Sequence, residues 1–338
     1  MLFLFFLKAV GINMKKLLLF IVFLLAGQPL DQRLWAFEAD HPECLVAAKA
    51  GGGMDISCQL VANSLLAARL IDTPMQIKYK TGGIGAVAYN HVIGVRNNDP
   101  QLIVATSSGS ALNIATQKFG HYDVNSVRWL GAVAADFGVI AVRRDAPWNS
   151  LNDLVNALRQ PSCSINIGGS GSIGSQDWMK TALLAQEAGI KPTQIRYVGF
   201  EGPKDAIEAL LNGYIDVFPG DAAELKSTLQ NGKIKVLAVL SEHRLPEGFA
   251  DVPTAREQGY LVEWTIWRGF YMGPQVSEES YQWWINTFRR MVKSPEFEQE
   301  RIKLGLYPFV VLGQEFTTFV EKSVNKQKEL ATGIGLIK

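Results

Sequence analysis

The sequence predicts an α/β protein of two lobes joined by two chain crossings. Short apolar runs alternate with amphipathic stretches from about residue 42 onward, the rhythm of strands and helices in parallel sheets. Two long extended segments, near 130–143 and 262–273, interrupt that rhythm. No Pro- or Ser-rich linker divides the chain into sequential halves, so these segments read as strands passing between lobes. The second lobe is then an insertion, 143–265, within a first lobe of 37–142 and 266–338. A chain of 338 residues, 48% of them hydrophobic, has enough apolar material for two cores.

The elements follow in order. "CLVAA" reads as a strand and leads to a helix from about Asp55 to Leu70. "MQIKY" precedes the helical "GAVAYNHVIGV", and "LIVAT" precedes "ALNIATQKF". After the first crossing, "SINIG", "IRYVGF", "IDVFPG" and "KVLAVL" alternate with four amphipathic helices. After the second, "VEWTIWRGFYMGP", come three helical stretches with "FVVL" between the last two. Trp178, Trp283 and Trp284 lie at helical spacings and read as core, whereas Trp267 and Arg268 lie on the second crossing, near an interlobe floor.

The loops that leave strands and open helices carry the chemistry. Five are "AGGGMD", "TSSGS", "GGSGSIGSQD", "FEGPKD" and "PGDAAE". All are small, hydroxyl-bearing or acidic. Free N–H groups and the macrodipole make a helix start an anion site, glycine lets backbone approach a ligand, and serine adds donors. Two loops on one lobe facing three on the other would converge on one cleft. Capping is the expected role of Asp55 and Asp221, while Arg268 reads equally as a ligand cation or a structural arginine.

Other function classes fit poorly. Lys+Arg 33 against Asp+Glu 32 leaves a net charge of +1 with no charged block, so nucleic acid is not an expected partner. "GSGSIG" matches GxGxxG, but the next strand ends in Glu201 some 27 residues past Gly174 rather than about 20, so no dinucleotide is expected. No GK[ST] loop, GxSxG elbow, CxxC or paired histidines occur, so neither an enzyme, a cofactor nor a metal is expected.

The N-terminus reads differently. "MKKLLLFIVFLLAG" from Met14 has two lysines and then nine apolar residues, Leu17 to Leu25, the pattern of a secretory signal. Residues 1–36 are assigned to it, with cleavage after Ala36 or Ala39. The expected location is the periplasm. In an oxidising compartment Cys44 and Cys58, 14 residues apart, can pair, leaving Cys163 free.

The motifs "ECLVAAKAGGGMD", "KTGGIGAVAYN", "SIGSQDWMKTALLAQ", "RYVGFEG", "RLPEGFADVPTAREQGY" and "RGFYMGP", in this order, resemble the extracytoplasmic solute receptors of tripartite tricarboxylate transporters, most of all those for citrate and tricarboxylates. The resemblance implies a type II, flytrap-like periplasmic binding protein. It implies citrate or a related small carboxylate held by backbone N–H groups, hydroxyls and water. It also implies a permease with one large and one small membrane subunit as partner; the receptor itself is expected to be a monomer. The implied contacts are Gly52, Gly53 and Asp55; Ser107, Ser108, Gly109 and Ser110; and Ser170, Ser172, Ile173, Gly174, Ser175 and Gln176. The remaining loops add Glu201, Gly202 and Asp221 as candidates. Pro203, Lys204 and Asp177 depart from the family's pattern.

Overall fold

The strands expected from the apolar runs form, and they divide between two sheets in the computed structural model, which describes residues 37–338 except Glu247. The expected leader, 1–36, lies outside the described residues. The first sheet contains β1 (Glu43–Val46), β2 (Gln76–Tyr79), β3 (Leu102–Ser107), β4 (Arg128–Phe137), β10 (Thr265–Met272) and β11 (Tyr307–Leu312), in the order β11-β4-β10-β3-β1-β2. The second contains β5 (Val139–Arg143), β6 (Asn166–Ser170), β7 (Arg196–Phe200), β8 (Val217–Phe218) and β9 (Ile234–Val239), in the order β7-β6-β8-β5-β9. Every residue of β3 is buried, as a continuous apolar run on a central strand requires.

The sheets are mixed rather than parallel throughout. β1 pairs in parallel with β2 and β3, and β6 with β7 and β8. The two strands that arrive from the other lobe run the other way, β10 antiparallel to β3 and β4 and β5 antiparallel to β8 and β9. The edge strand β11, reached through two helices of the same lobe, Glu278–Met291 and Pro295–Lys303, is antiparallel to β4. A strand entering a sheet from the neighbouring lobe meets the local strands head-on, which strand–helix alternation alone does not reveal.

The first crossing is one extended run broken at Gly138. Gly138 N donates to Trp264 O (2.9 Å), and Leu240 N donates to Gly138 O (2.7 Å). The two crossing segments are thus tied together at one point. The chain enters the second sheet at Val139, so residues 139–142, expected in the first lobe, belong to the second sheet. It re-enters the first sheet with β10 at Thr265.

Helices cover both faces of each sheet. The first sheet carries α1 (Gly53–Ala67), α2 (Ala86–Gly94), α3 (Ser108–Ala115), α8 (Glu278–Met291), α9 (Pro295–Lys303) and α10 (Gln314–Gly333). The second carries α4 (Leu151–Leu158), α5 (Gln176–Glu187), α6 (Pro203–Leu211) and α7 (Ala222–Gln230). Trp284 is fully buried against Phe288, Trp178 is buried in the second lobe, and Trp283 is only half-buried, against Phe37. The end of α10 departs from the expected plan. Leu330, Ala331, Ile334, Leu336 and Ile337 pack on the apolar core of the second lobe, so the C-terminal segment spans both lobes. Cys44 on β1 and Cys58 on α1 are joined by a disulfide, with Cα atoms 5.8 Å apart, and Cys163 is free.

Candidate functional site

A cavity of about 360 Å³ lies where the lobes meet, at the small end of ligand pockets. It is built from the starts of six helices, three per lobe. From the first lobe come Gly52 and Gly53 of α1, the turn Gly83–Gly85 before α2, and Ser107 and Gly109 of α3. From the second come Ser175 and Gln176 of α5, Gly202 and Pro203 of α6, and Asp221 and Glu224 of α7. Gly52 and Gly202 cap their helices without any side-chain bond, so those N–H groups face the cleft unserved by their own caps. Ser107 Oγ instead accepts from Gly109 N (3.2 Å), and Ser175 Oγ from Trp178 N (3.4 Å). Ser170 Oγ, Gln176 Oε1 and Arg268 Nε, all on cavity-lining residues, are buried without a partner among the described residues.

Below the cavity lies a buried charge cluster shared by both lobes. Arg268 on β10 donates through Nη2 to Asp136 Oδ2 on β4 (2.6 Å) and to Asp221 Oδ2 (2.8 Å). Lys180 on α5 donates to Asp177 Oδ1 (2.8 Å), Asp221 Oδ1 (2.5 Å) and the carbonyls of Pro219 and Gly220 (2.9 Å each). Arg268 thus serves as a structural cation held by two aspartates through Nη2, while its Nε, on the cavity side of the cluster, keeps no partner among the described residues. Burial pushes Asp136 and Asp177 above their ordinary range, only partly opposed by Arg268 and Lys180 respectively. Burial also acts on Asp221, but Lys180 and Arg268 outweigh it and hold that carboxyl below its ordinary value. Glu224 is pushed well up, by burial first and then by the carboxylates of Asp221 and Asp177.

The lobes touch across the cleft. Lys49 Nζ donates to Asp205 Oδ2 (2.9 Å), Gly53 N to Glu224 Oε1 (3.1 Å), and Lys118 Nζ to Ile173 O (3.1 Å). The pocket sits between closed lobes.

Of the expected contacts, Gly52, Gly53, Ser107, Gly109, Ser170, Ser172, Ser175, Gln176, Glu201, Gly202 and Asp221 line the cavity, and five others lie outside it. Asp55 turns inward, where its Oδ2 accepts from Gly51 N (2.6 Å) and its Oδ1 from Tyr79 Oη (2.9 Å). Ser108 and Ser110 are buried on α3 and do not line the cavity, because successive helical residues rotate by about 100° and the face that meets the cleft carries Gly109 and, one turn on, Asn113. Ile173 and Gly174 form the apex of their loop. Ile173 is exposed, and a Cβ on Gly174 would meet Lys118 Nζ at 2.7 Å and Leu336 at 3.0 Å. They contact the opposite lobe rather than the cavity.

Sequence reasoning passes over the turn Thr81–Gly85, which lines the cavity and opens α2. Its glycines after a strand carry the same signal as the other loops, without serine or acid. Lys180 and Glu224 are also missed. A lone lysine within the apolar stretch of α5 was the available sign, whereas Glu224 reads as an ordinary first-turn acid.

Residues 56–336 match the family described as "Tripartite tricarboxylate transporter family receptor". A Cupriavidus necator protein named "UPF0065 protein in gbd 5'region" is 21% identical over 315 residues, covering 93% of each chain. Two solved Rhodopseudomonas palustris proteins share the fold. MatC, with bound malate, has a TM-score of 0.75 at 17% identity and covers 87% of this chain and 99% of its own. A second, solved with adipate, has a TM-score of 0.77 at 20% identity, with 87% and 97% coverage. With a family match across most of its length and a two-lobed cleft ringed by helix starts, the chain belongs to the tripartite tricarboxylate transporter receptor family, and is a solute-binding receptor rather than an enzyme.

Proposed function

We propose that the chain is a periplasmic, monomeric receptor that closes on citrate or a related tricarboxylate and presents it to a two-subunit membrane permease. The observation that carries this reading is the convergence of six helix starts from two lobes on one cavity. Each start presents roughly half a positive charge, so carboxylates can be held from both sides without a free cation. A ligand bridging both lobes makes more contacts in the closed state and shifts the population toward it. The residues proposed to contact it are Gly52, Gly53, Ser107, Gly109, Ser170, Ser172, Ser175, Gln176, Glu201 and Gly202, with Asp221 supporting the floor.

A dicarboxylate is the second reading. Asp177, Glu201, Asp221 and Glu224 line the cavity against the single cation Arg268, a balance that suits a dianion better than a trianion. The similar folds solved with malate and adipate point the same way. Calorimetry of the mature protein against citrate, isocitrate, tricarballylate, malate and adipate tests both readings. Saturable heat with a tricarboxylate supports the first, and saturation with malate or adipate alone supports the second. Cells lacking the permease should lose uptake of the same acid even with the receptor present.

A further inference from the structure

Glu224 is placed unlike any other acid of the cleft. It belongs to the first turn of α7 in the second lobe, yet its Oε1 accepts from Gly53 N (3.1 Å) at the start of α1 in the first. Its Oε2 accepts from Asp221 N (3.3 Å). Both Glu224 and Gly53 line the cavity. In the closed arrangement the positive end of α1 therefore already faces a carboxylate, at the place where a ligand anion would approach.

The surrounding charges leave Glu224 without a direct ion pair among the described residues, and Arg268 and Lys180 only partly offset its burial and the neighbouring aspartates. On its own helix stands Asp221; α5 contributes Asp177 and Lys180; β4 and β10 contribute Asp136 and Arg268. On α1 the nearest acid is Asp55, turned to Gly51 and Tyr79, and the loop before α6 adds Glu201 at the cavity wall. Lys180 and Arg268 are committed to three aspartates, and Glu224 takes part in none of the ion pairs found among the described residues. A second carboxylate brought beside it would meet like charge in a desolvated site. A neutral Glu224 removes that repulsion, still accepts from Gly53 N through its carbonyl oxygen, and gains an O–H to donate to a ligand oxygen.

We propose that Glu224 carries the proton of the ligand site: an organic anion binds in the cavity together with one proton, taken from solvent to form the O–H of the Glu224 carboxyl. This rests on the reading of the ligand as a carboxylate anion. Burial and the neighbouring aspartates already favour the protonated form, and an added ligand anion favours it further. Above the pKa of the ligand-free carboxyl, affinity then falls by up to tenfold per pH unit as each binding event must draw its proton from a more dilute supply.

The test is calorimetry of the mature receptor with citrate, malate and adipate, in buffers of differing ionisation heat, from about pH 5 to about pH 9, the range a buried glutamate can reach. The wild type should take up as much as one proton per ligand in the upper part of that range, with affinity falling in step. Glu224→Gln keeps an acceptor for Gly53 N and adds a donor. It should abolish the uptake, flatten the pH profile and bind at least tenfold tighter than wild type at the alkaline end. Infrared spectra of glutamate-labelled wild type provide a second reading that needs no variant: a protonated carboxyl band should grow on ligand addition at alkaline pH. Binding without proton uptake, uptake unchanged in Glu224→Gln, or no growth of that band would overturn the proposal. If none of the acids binds at any pH, the carboxylate reading itself falls and this proposal with it.

Discussion

At the scale of single residues, Gly53 is fixed by its neighbours more than by its torsion angles. It lies in ordinary helical geometry, but a Cβ there would stand 1.9 Å from Arg268 Nη1. Arg268 cannot yield, since Asp136 and Asp221 hold it. Gly53→Ala should cost about 1–3 kcal/mol of stability through overpacking and weaken ligand binding more than tenfold, about 1.4 kcal/mol, by calorimetry and denaturant unfolding. Arg256→Ala is the control: its long contacts to Glu242 and Glu263 (3.9 and 3.7 Å) are exposed, and its effect should stay within about 0.5 kcal/mol. Lys180 is the opposite case. Lys180→Met strands Asp177 and Asp221 in the interior and should cost about 3–5 kcal/mol; unfolding within 1 kcal/mol of wild type, roughly the scale of a surface change, would contradict the cluster's role.

The same residues set a pH dependence. Asp136, Asp177 and Glu224 are held above their ordinary values of 3.8, 3.8 and 4.5, so each binds its proton more tightly in the folded chain. Their contribution to stability is complete below those ordinary values and is lost as pH rises through the raised ones. Asp221, held below 3.8, has the opposite sign, and its contribution is lost as pH falls through its lowered value. The denaturation midpoint of the ligand-free receptor should therefore decline from mildly acidic toward alkaline pH. Glu224→Gln should remove part of that decline; an unaltered slope would show that Glu224 titrates alike in folded and unfolded chains.

At the scale of elements, the cavity is a property of strand ends. Six strand-to-helix turns deliver backbone N–H groups to one place. The disulfide Cys44–Cys58 ties the first of these helices to its strand. Replacing both cysteines by serine should lower stability by about 3 kcal/mol, the chain-entropy value for a loop of this length. Ligand affinity should be little changed at temperatures where the chain stays folded. Loss of binding in a variant that unfolds cooperatively would instead assign the disulfide a part in shaping the α1 start.

At the scale of the whole molecule, the two crossing segments are tied at Gly138, which makes it the expected hinge for opening and closing. A Cβ there would meet Lys180 Cδ at 2.9 Å, Leu240 Cδ1 at 3.1 Å and Trp264 Cβ at 3.3 Å. The Gly138 backbone therefore packs directly against Lys180 of the buried charge cluster. Gly138→Val should cost about 1–3 kcal/mol through overpacking and reduce the ligand-induced compaction seen by small-angle scattering. Full compaction with wild-type stability would place the hinge elsewhere. The tail of α10 adds a second constraint, since it packs on the second lobe while beginning in the first.

The alternation of apolar runs with amphipathic stretches determined the α/β class, and the two long segments near 130–143 and 262–273 determined the double crossing, because both features depend only on local periodicity and length. Gly52, Gly53, Ser107, Gly109, Ser175 and Gln176 were legible as cleft residues, since strand ends and helix starts are local events. Which residue of each turn faces the cleft was decided by helix rotation and loop curvature: Asp55, Ser108, Ser110, Ile173 and Gly174 carry the right chemistry and point elsewhere. Strand direction was decided by topology, because β5 and β10 take their polarity from the lobe they arrive from and β11 from the helices that lead it to the sheet edge. Only the tertiary structure brought Arg268, Asp136, Lys180, Asp177, Asp221 and Glu224 together. They lie as much as 132 residues apart within one ion pair, and no local pattern encodes a contact between charges on separate lobes.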